Sequence, residues 1–294
     1  MQPMNLLSKA VFRTVSTLTF CMLLLLLSIT RPATAQKKLQ PSDWKLAVQA
    51  WTFHVYTFAE ALDKIDSAGV KYVEGFPNQE IGGGVEGKMD YRMDAGKRRR
   101  VQQLLRRKGI KMLSYGVVKP KTDSEWVQLF RFARAMDIRN IVSEPEEQQI
   151  PLISRLCDEY RINVAIHDHP RPSHYWNPDI LLAAIKEASP RIGACADIGH
   201  WLRSGLDPVE CMRKLEGHII EFHMKDLNEK GVRKAHDLPW GTGISNLPAV
   251  MQEMKKQHFK GVVSIEYEYH WENNLPEVKA SAAYFNKQKQ ALLK

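Results

Sequence analysis

Five apolar runs in this sequence end in residues that can bind a metal ion or transfer a proton. The runs, with their endings, lie at residues 140–144, 164–169, 192–200, 219–226 and 262–268. They are short and largely apolar, with several β-branched residues, which is typical of buried strands. The carboxyl ends of successive strands meet at the mouth of a parallel barrel. The pattern therefore predicts an active site at that mouth.

Four of these endings supply a possible set of metal ligands, namely Glu144, Asp197, His223 and Glu266. Carboxylates combined with an imidazole suit one divalent cation, which we expect to be Mn²⁺, Mg²⁺, Co²⁺ or Zn²⁺. Each residue taken alone is more often a hydrogen-bonded structural group. Together they would concentrate negative charge at a cost that a cation offsets. The sequence therefore predicts a metal centre.

Three histidines accompany these ligands. His167 and His169 have the same parity, so both should point towards the barrel axis if the strand stays regular to its end. One of them is expected to complete the metal shell, which leaves the other as a base or a substrate contact. His200, three residues after Asp197, is predicted to contact the substrate, with a ligand role or a structural hydrogen bond as alternatives.

Lys225 shares parity with His223 and is the third predicted catalytic residue. Its ammonium group can stabilise an enolate or donate to a carbonyl. A salt bridge to Asp226 or Glu221 is an equal alternative. The sequence leaves both open.

Four tryptophans lie at or beyond strand ends, where flat aromatic faces commonly stack on sugar rings. We predict that they line the substrate site, with core packing as the alternative for some of them. They are Trp51, Trp176, Trp201 and Trp240.

Eight strand candidates alternate with helical segments, as in consecutive βα units. They are residues 46–52, 70–74, 111–115, 140–143, 163–167, 192–197, 219–223 and 262–266. The predicted fold class is α/β, a (β/α)₈ TIM barrel in a single domain. Two connections, 77–94 and 227–243, are longer than ordinary βα loops, so we expect them to cover or complete the site. Gly241 and Gly243 in the second would let the backbone approach a ligand closely.

The N-terminal 35 residues have the plan of a secretory signal peptide. Lys9 and Arg13 precede an apolar run of about a dozen residues, and small residues follow up to Ala35, where we predict cleavage. A transmembrane anchor is the alternative, but such a run is shorter than the roughly 20 residues that span a bilayer. The mature chain, 36–294, is therefore predicted to be periplasmic and not attached to a membrane. Its length matches the roughly 250 residues of one barrel.

Charge and cysteine content exclude some classes of function. The net charge is +9, and three of its cations lie in the predicted signal peptide. The basic runs 97–100 and 106–108 are interpreted as the solvated face of one helix, so no nucleic-acid partner is expected. Three cysteines remain in the mature chain at spacings that favour buried thiols over a disulfide framework.

From about residue 46 to 269 the chain resembles the xylose isomerase-like TIM barrels, the superfamily of the sugar phosphate isomerases/epimerases, in the form of an exported, Bacteroidetes-type member. The resemblance rests on Asp197-Ile-Gly-His200, on His223 and Glu266, and on Gly241-Thr-Gly243. It implies one divalent cation bound by a Glu of strand five, an Asp of strand six, a His of strand seven and a Glu of strand eight. Strand five here ends in His167-Asp168-His169, and a Glu appears at strand four instead, as Glu144.

These observations predict a metal-dependent enzyme that enolises an unphosphorylated keto-sugar or 3-keto-glycoside, because phosphorylated sugars are cytoplasmic. We favour a lyase or hydratase, in which elimination or hydration takes place beside the carbonyl. A sugar isomerase/epimerase is the alternative. An endonuclease IV-like nuclease and a non-catalytic sugar-binding barrel are more distant alternatives. The expected partner is a small-molecule sugar, and a homodimer is possible.

Overall fold

The computed structural model describes residues 43–293, so the predicted signal peptide and its cleavage point lie outside the described residues. In this range eight parallel strands form a closed barrel, in which the first strand pairs with both the second and the last. The predicted (β/α)₈ barrel is therefore confirmed. The strands, including four that form two small hairpins, are Trp44–Gln49 (β1), Tyr72–Gly75 (β2), Glu80–Gly82 (β3), Val85–Lys88 (β4), Lys111–Val118 (β5), Asn140–Ser143 (β6), Asn163–His167 (β7), Ile192–Asp197 (β8), Ile219–Met224 (β9), Asp226–Leu227 (β10), Asp237–Leu238 (β11) and Gly261–Ile265 (β12).

Helices connect the barrel strands on the outside. Within the described range the α-helices are Phe58–Ser67 (α1), Ala95–Lys108 (α2), Asp123–Ala135 (α3), Ile150–Tyr160 (α4), Pro178–Ala184 (α5), Ile198–Arg203 (α6), Pro208–Lys214 (α7), Leu247–Lys256 (α8) and Leu275–Leu293 (α9). Capping boxes begin α1 at Thr57 and α3 at Thr122, where each side chain accepts a hydrogen bond from a backbone N–H of the first turn. The basic runs both lie on α2, as predicted. No helix among residues 43–293 is long and apolar enough to cross a membrane.

The first strand ends earlier than predicted. A 3₁₀ turn, Ala50–Phe53, replaces its last residues, because the side chain of Gln49 accepts a hydrogen bond from Trp51 N at 2.9 Å. The turn brings Trp51 out to the rim of the barrel, where the side chain is 39% exposed.

The barrel interior below its mouth is polar rather than purely apolar. Glu221, which is fully buried, accepts hydrogen bonds from Ser114 Oγ at 2.6 Å and from Asn140 Nδ2 at 2.9 Å. Ser264 Oγ lies 3.1 Å from Glu74 Oε2 and 3.2 Å from Glu221 Oε1. This network supports the side chains above it, because buried polar groups with partners hold fixed positions.

The two long connections differ in what they contribute. The first contains the hairpin β3–β4 and brings Pro77 and Asn78 to the mouth of the barrel. In the second, the N–H groups of Gly241 and Gly243 donate to Asp226 Oδ2 at 2.8 and 2.9 Å. A Cβ on Gly243 would lie 2.4 Å from Asp226 Oδ1. These glycines therefore wrap an internal carboxylate, and the expectation that they approach a ligand is wrong.

The three cysteines in the described range, Cys157, Cys195 and Cys211, are buried free thiols. This agrees with the prediction from their spacing.

Candidate active site

The ends of four strands place one buried group of possible metal ligands together. The group consists of His167, Asp197, His223 and Glu266, and one donor atom from each lies within 4.8 Å of the others. His167 ends β7, Asp197 ends β8, His223 lies near the end of β9, and Glu266 follows β12. Three of the four predicted ligands are therefore in this group, with His167 as the fourth member.

His223 is oriented by a second carboxylate below it. Its Nε2 donates to Glu74 Oε2 at 2.8 Å, and both side chains are fully buried. A carboxylate oxygen can only accept this bond, so the proton on Nε2 is fixed, and Nδ1 is the nitrogen that could give up its proton to bind a metal. Burial would lower the pKa of His223, but Cys195, Glu74 and Glu266 raise it well above the ordinary value. Nδ1 lies 3.1 Å from Glu266 Oε2 and has no hydrogen-bond partner among the described residues. This is the arrangement of a metal-binding histidine whose other nitrogen is held by a carboxylate.

Glu144 lies on the far side of His167 from this group. Its Oε1 is 3.4 Å from His167 Nδ1 and also makes a short contact with His169 Nδ1. Burial would raise the pKa of Glu144, but hydrogen bonds from the two histidines outweigh burial and hold its pKa well below the ordinary value. Glu144 thus belongs to a second group with the two histidines, and its predicted place beside Asp197, His223 and Glu266 is taken by His167.

Lys225 is fully buried, and its ammonium group contacts Asp197 Oδ2 and Glu266 Oε2. Its stem packs against α6 at Gly199, where a Cβ would lie 2.7 Å from Lys225 Cδ. Burial would raise the pKa values of Asp197 and Glu266, but Lys225 and the neighbouring histidines lower both of them. The suggested salt bridges to Asp226 and Glu221 are therefore wrong, since Lys225 pairs with two residues of the ligand group.

The ion pairs of Lys225 bear on whether the site needs a metal. The negative charge of Asp197 and Glu266 is offset by the chain's own ammonium group, so charge alone does not require a bound cation. The stronger observation is that His167 Nε2 and His223 Nδ1 are buried without hydrogen-bond partners within residues 43–293. Both belong to the same group as two carboxylates with lowered pKa values. Unpaired imidazole nitrogens facing ionised carboxylates fit a divalent cation such as Zn²⁺ or Mn²⁺.

A cavity of about 490 Å³ opens above the ligand group. This volume is in the range of small-molecule sites. The cavity is lined by Gln49, Trp51, Phe76, Pro77, Asn78, Gly116, Val117, Lys119, His167, His169, His200, Glu266 and Glu268.

Two histidines that line this cavity, His169 and His200, differ in exposure and in the partners of their ring nitrogens. The side chain of His169 is 43% exposed, and its Nδ1 faces Glu144, which leaves Nε2 for a ligand. His200 Nδ1 lies 3.0 Å from Arg203 Nη1, which can only donate, so the ring proton of neutral His200 is on Nε2. Burial lowers the pKa of His200 well below its ordinary value, which keeps the ring neutral. His169 therefore offers an acceptor to the cavity, whereas His200 Nε2 lies 3.5 Å from Asp197 Oδ2.

The predicted aromatic contacts divide into two classes. Trp51 lines the cavity. Trp201 and Trp240 are 1% and 4% exposed and lie in the hydrophobic core, because α6 and the connection before α8 turn them inwards. Trp176 stacks on Arg171, with 3.9 Å between the guanidinium carbon and the ring centre, and does not line the cavity. The prediction that these three contact substrate is therefore wrong in this structure.

The sequence interpretation missed several side chains of the site. Gln49, Lys119 and Glu268 line the cavity, and Glu74 holds His223. Lys119 directly follows β5 and pairs with Glu144 at 2.6 Å. The rule that polar residues at strand ends mark the site could have found Glu268, two residues after Glu266. It could not find Gln49 or Lys119, because the predicted strands end at 52 and 115 rather than at Gln49 and Val118.

Comparisons with known proteins agree with this architecture. Residues 62–288 match the sequence model of the xylose isomerase-like TIM barrel family. The uncharacterized protein MJ1311 of Methanocaldococcus jannaschii is 31% identical over 136 residues, which are 43% of this chain and 45% of that protein. The chain thus matches less than half of the length of this relative.

Solved structures share the fold. A protein of Parabacteroides distasonis ATCC 8503 is 36% identical, with a TM-score of 0.69, covering 83% of this chain and 99% of that one. The probable 3-DHS dehydratase AsbF of Bacillus anthracis is 16% identical, with a TM-score of 0.64 and coverage of 82% and 98%. The zinc-bound IolI protein is 13% identical, with a TM-score of 0.65 and coverage of 84% and 98%. At these low identities the last two show the fold alone.

Proposed function

Because this chain belongs to the xylose isomerase-like TIM barrel family, we propose that it is a divalent-metal-dependent enzyme that removes a proton beside the carbonyl of an unphosphorylated keto-sugar or 3-keto-glycoside. The favoured outcome is elimination, or hydration in the reverse direction. The observation that carries the proposal is the position of His169, an imidazole that opens on the cavity while its neighbour His167 faces the ligand group.

The proposed ligands are His167, Asp197, His223 and Glu266. If a divalent cation is bound there, it would polarise the substrate carbonyl and so acidify the neighbouring C–H bond. The structure of IolI contains zinc, which supports a metal in a barrel of this fold. Glu144, in place of its predicted ligand role, orients both His167 and His169.

The proton acceptor is His169 Nε2. Its Nδ1 is held by Glu144, whose lowered pKa keeps the carboxylate ionised and supports a charged imidazolium after proton transfer. Lys119, which lines the cavity, provides a donor for an oxygen atom that gains negative charge. Lys225 is not among the residues that line the cavity, so its proposed role is to position Asp197 and Glu266 rather than to contact the substrate.

A 3-keto-glucoside would react by elimination across C1 and C2. The C2–H bond breaks and its proton goes to His169, while a C1=C2 double bond forms and the C1–O bond breaks. The leaving oxygen takes a proton from a donor in the cavity, which gives an alcohol and a 2-hydroxy-3-keto-glycal. The probable 3-DHS dehydratase AsbF has the same fold, which supports elimination as a reaction for a barrel of this kind.

An unphosphorylated substrate is supported by the charges around the cavity. Among the described residues that line it, Lys119 is the only lysine or arginine, and it is already paired with Glu144. Glu266 and Glu268 line the same space. A phosphate group or a DNA backbone would therefore find no basic cluster here and would depend on the proposed cation alone.

The second candidate is a ketose isomerase or epimerase. Glu268 favours it, because a carboxylate in the cavity could return a proton that His169 removed. The strand-five glutamate that would supply a two-carboxylate relay is replaced by His167, which favours the lyase or hydratase.

Turnover in D₂O followed by NMR tests these outcomes. The purified enzyme is incubated with 3-keto-glucosides and with the 2-hydroxy-3-keto-glycal. Formation or consumption of the glycal supports the proposal, whereas deuterium incorporation with an inverted or shifted centre and no glycal supports the isomerase. His169→Ala should abolish turnover. His174→Ala is the matched control, because His174 is exposed and pairs with Glu147 away from the cavity.

Export to the periplasm also remains a proposal, supported by the signal-peptide pattern of residues 1–35. The homodimer stays a prediction.

A further inference from the structure

Three aromatic rings form a plate on the rim of the barrel, made of Trp51, His54 and Trp271. Trp51 stacks on His54, with ring centres 4.3 Å apart and planes 17° from parallel. Trp271 meets His54 edge-on at 4.4 Å and Trp51 at 6.4 Å. The plate has exposed area, since Trp51 is 39% exposed and the side chains of His54 and Trp271 are half-buried.

Hydrogen bonds hold the two segments of this plate together. The segment after β12 is joined to the segment after β1 where Asn274 Nδ2 donates to Thr52 O at 2.7 Å. A second bond runs from Tyr267 N to Thr52 Oγ1 at 3.0 Å, and Tyr56 Oη donates to Glu272 O. The aromatic plate therefore has a fixed position beside the mouth of the barrel.

Each indole of the plate lines a different cavity, and their ring centres are 6.4 Å apart, so the two cavities are neighbours. Trp51 lines the inner cavity above the ligand group. Trp271 lines an outer groove of about 590 Å³, together with Val55, His270, Glu272, Asn273 and Glu277. The groove combines an indole with carboxylate, amide and imidazole groups that can form hydrogen bonds with hydroxyl groups, which is the chemistry that recognises a sugar or aryl ring.

We propose that the outer groove binds the leaving group of a glycoside, as a second ring that contacts Trp271 while the keto-sugar ring occupies the inner cavity. The inference rests on the proposed elimination, which needs a substituent at C1, and on the closeness of the two cavities, whose indoles Trp51 and Trp271 have ring centres 6.4 Å apart. It narrows the substrate class from any keto-sugar to glycosides with a cyclic leaving group, such as disaccharides or aryl glycosides.

Binding of unreacted glycosides tests the groove without turnover. The probes are phenyl and methyl D-glucopyranosides in both anomers, which differ only in the group at C1, and the dissociation constants are measured by calorimetry. The wild type should bind the phenyl compound of one anomer at least about tenfold more tightly than the methyl compound, because only phenyl reaches the plate. Trp271→Ala should reduce this preference to about twofold or less.

Trp176→Ala is the matched control and should keep the full preference, because Trp176 is a half-buried indole that lies outside both cavities. Equal affinity of the wild type for phenyl and methyl compounds in both anomers would overturn the inference. A second result would also overturn it. If the wild type is a dimer in light scattering and Trp271→Ala is a monomer that keeps the phenyl preference, the plate contacts a second copy of the chain and not the leaving group.

Failure of the groove and failure of the function are distinguishable. If methyl 3-keto-glucoside gives the glycal and no phenyl preference exists, the proposed elimination stands and the groove is wrong. If the phenyl preference exists and is lost in Trp271→Ala, but neither keto-glucoside gives the glycal, the groove stands and the elimination is wrong.

Discussion

Replacing Glu74 should weaken metal binding although Glu74 is not a proposed ligand. Glu74 is fully buried, and its Oε2 accepts the hydrogen bond from His223 Nε2 at 2.8 Å. This bond places His223 Nδ1 beside Glu266. Without it, the imidazole can rotate or carry its proton on the nitrogen that is proposed to bind the metal.

The magnitude follows from what each substitution leaves behind. Glu74→Gln keeps an oxygen that can accept from His223 but removes the charge, so we expect about a tenfold loss of affinity. Glu74→Ala leaves a buried N–H without an acceptor, which costs about 1–3 kcal/mol. The free imidazole can rotate away from this cost but the metal-bound one cannot, so the cost corresponds to roughly 5- to 150-fold in affinity, and the alanine variant should be the weaker binder.

The assay is competition with a chelator of known affinity, using Zn²⁺ and Mn²⁺ in turn, with elemental analysis of the protein as purified. Glu221→Gln is the matched control. Glu221 is an equally buried carboxyl of the same network, but it bonds to Ser114 and Asn140 rather than to His223. Its replacement should change affinity by less than about threefold. The reasoning fails if Glu74→Ala binds as tightly as the wild type, or if the control loses as much.

Three further predictions follow from the same structure. Lys225→Met should raise metal affinity at least about tenfold, because Asp197 and Glu266 lose the ammonium group that competes with the metal. The same substitution should lower the unfolding free energy of the metal-free protein by about 3 kcal/mol. A fall in affinity on chelator competition would contradict this prediction. Burial and then the charge of Glu74 raise the pKa of Glu221 to about 8 from an ordinary 4.5. The folded metal-free protein therefore keeps a proton that the unfolded chain releases, so its free energy of unfolding falls as pH rises from 4.5 to 8. In urea titrations, Glu221→Gln should reduce the total fall over this pH range by about 1–3 kcal/mol. Finally, the exported protein should begin after Ala35, which N-terminal sequencing of a periplasmic fraction will check against an uncleaved chain.

The sequence predicted the strands better than the side chains around them. The bounds of β6, β7 and β8 agree with the prediction, because each is a short apolar run with a polar residue at its end. The end of β1 was missed, since a 3₁₀ turn fixed by the Gln49 side chain has no apolar signature. Hydrophobic periodicity reports burial, and it does not report a side-chain hydrogen bond to a turn.

The site shows a second limit of the same kind. A pattern of strand ends places Glu144 and His167 at one edge of the barrel, but it does not give their depth or the direction of each side chain. Glu144 follows the end of β6, whereas His167 is the last residue of β7 and has a buried Nε2. Trp201 and Trp240 were misassigned for a related reason, because a tryptophan beyond a strand can turn towards the core as readily as towards a ligand.

The position of Glu144 bears on the reaction as well as on the ligand set. One carboxylate lies between two imidazoles, of which His167 faces the metal-ligand group and His169 faces the cavity. In the related ligand pattern the strand-five carboxylate is itself a ligand, whereas here the carboxylate has moved to the preceding strand and an imidazole has taken its place. We infer that this exchange leaves one oriented base above the ligand group. One base can remove the C2 proton and let a C1 substituent leave, whereas inversion by two carboxylates needs a second acceptor on the opposite face. The same substitution that alters the ligand set thus also favours elimination.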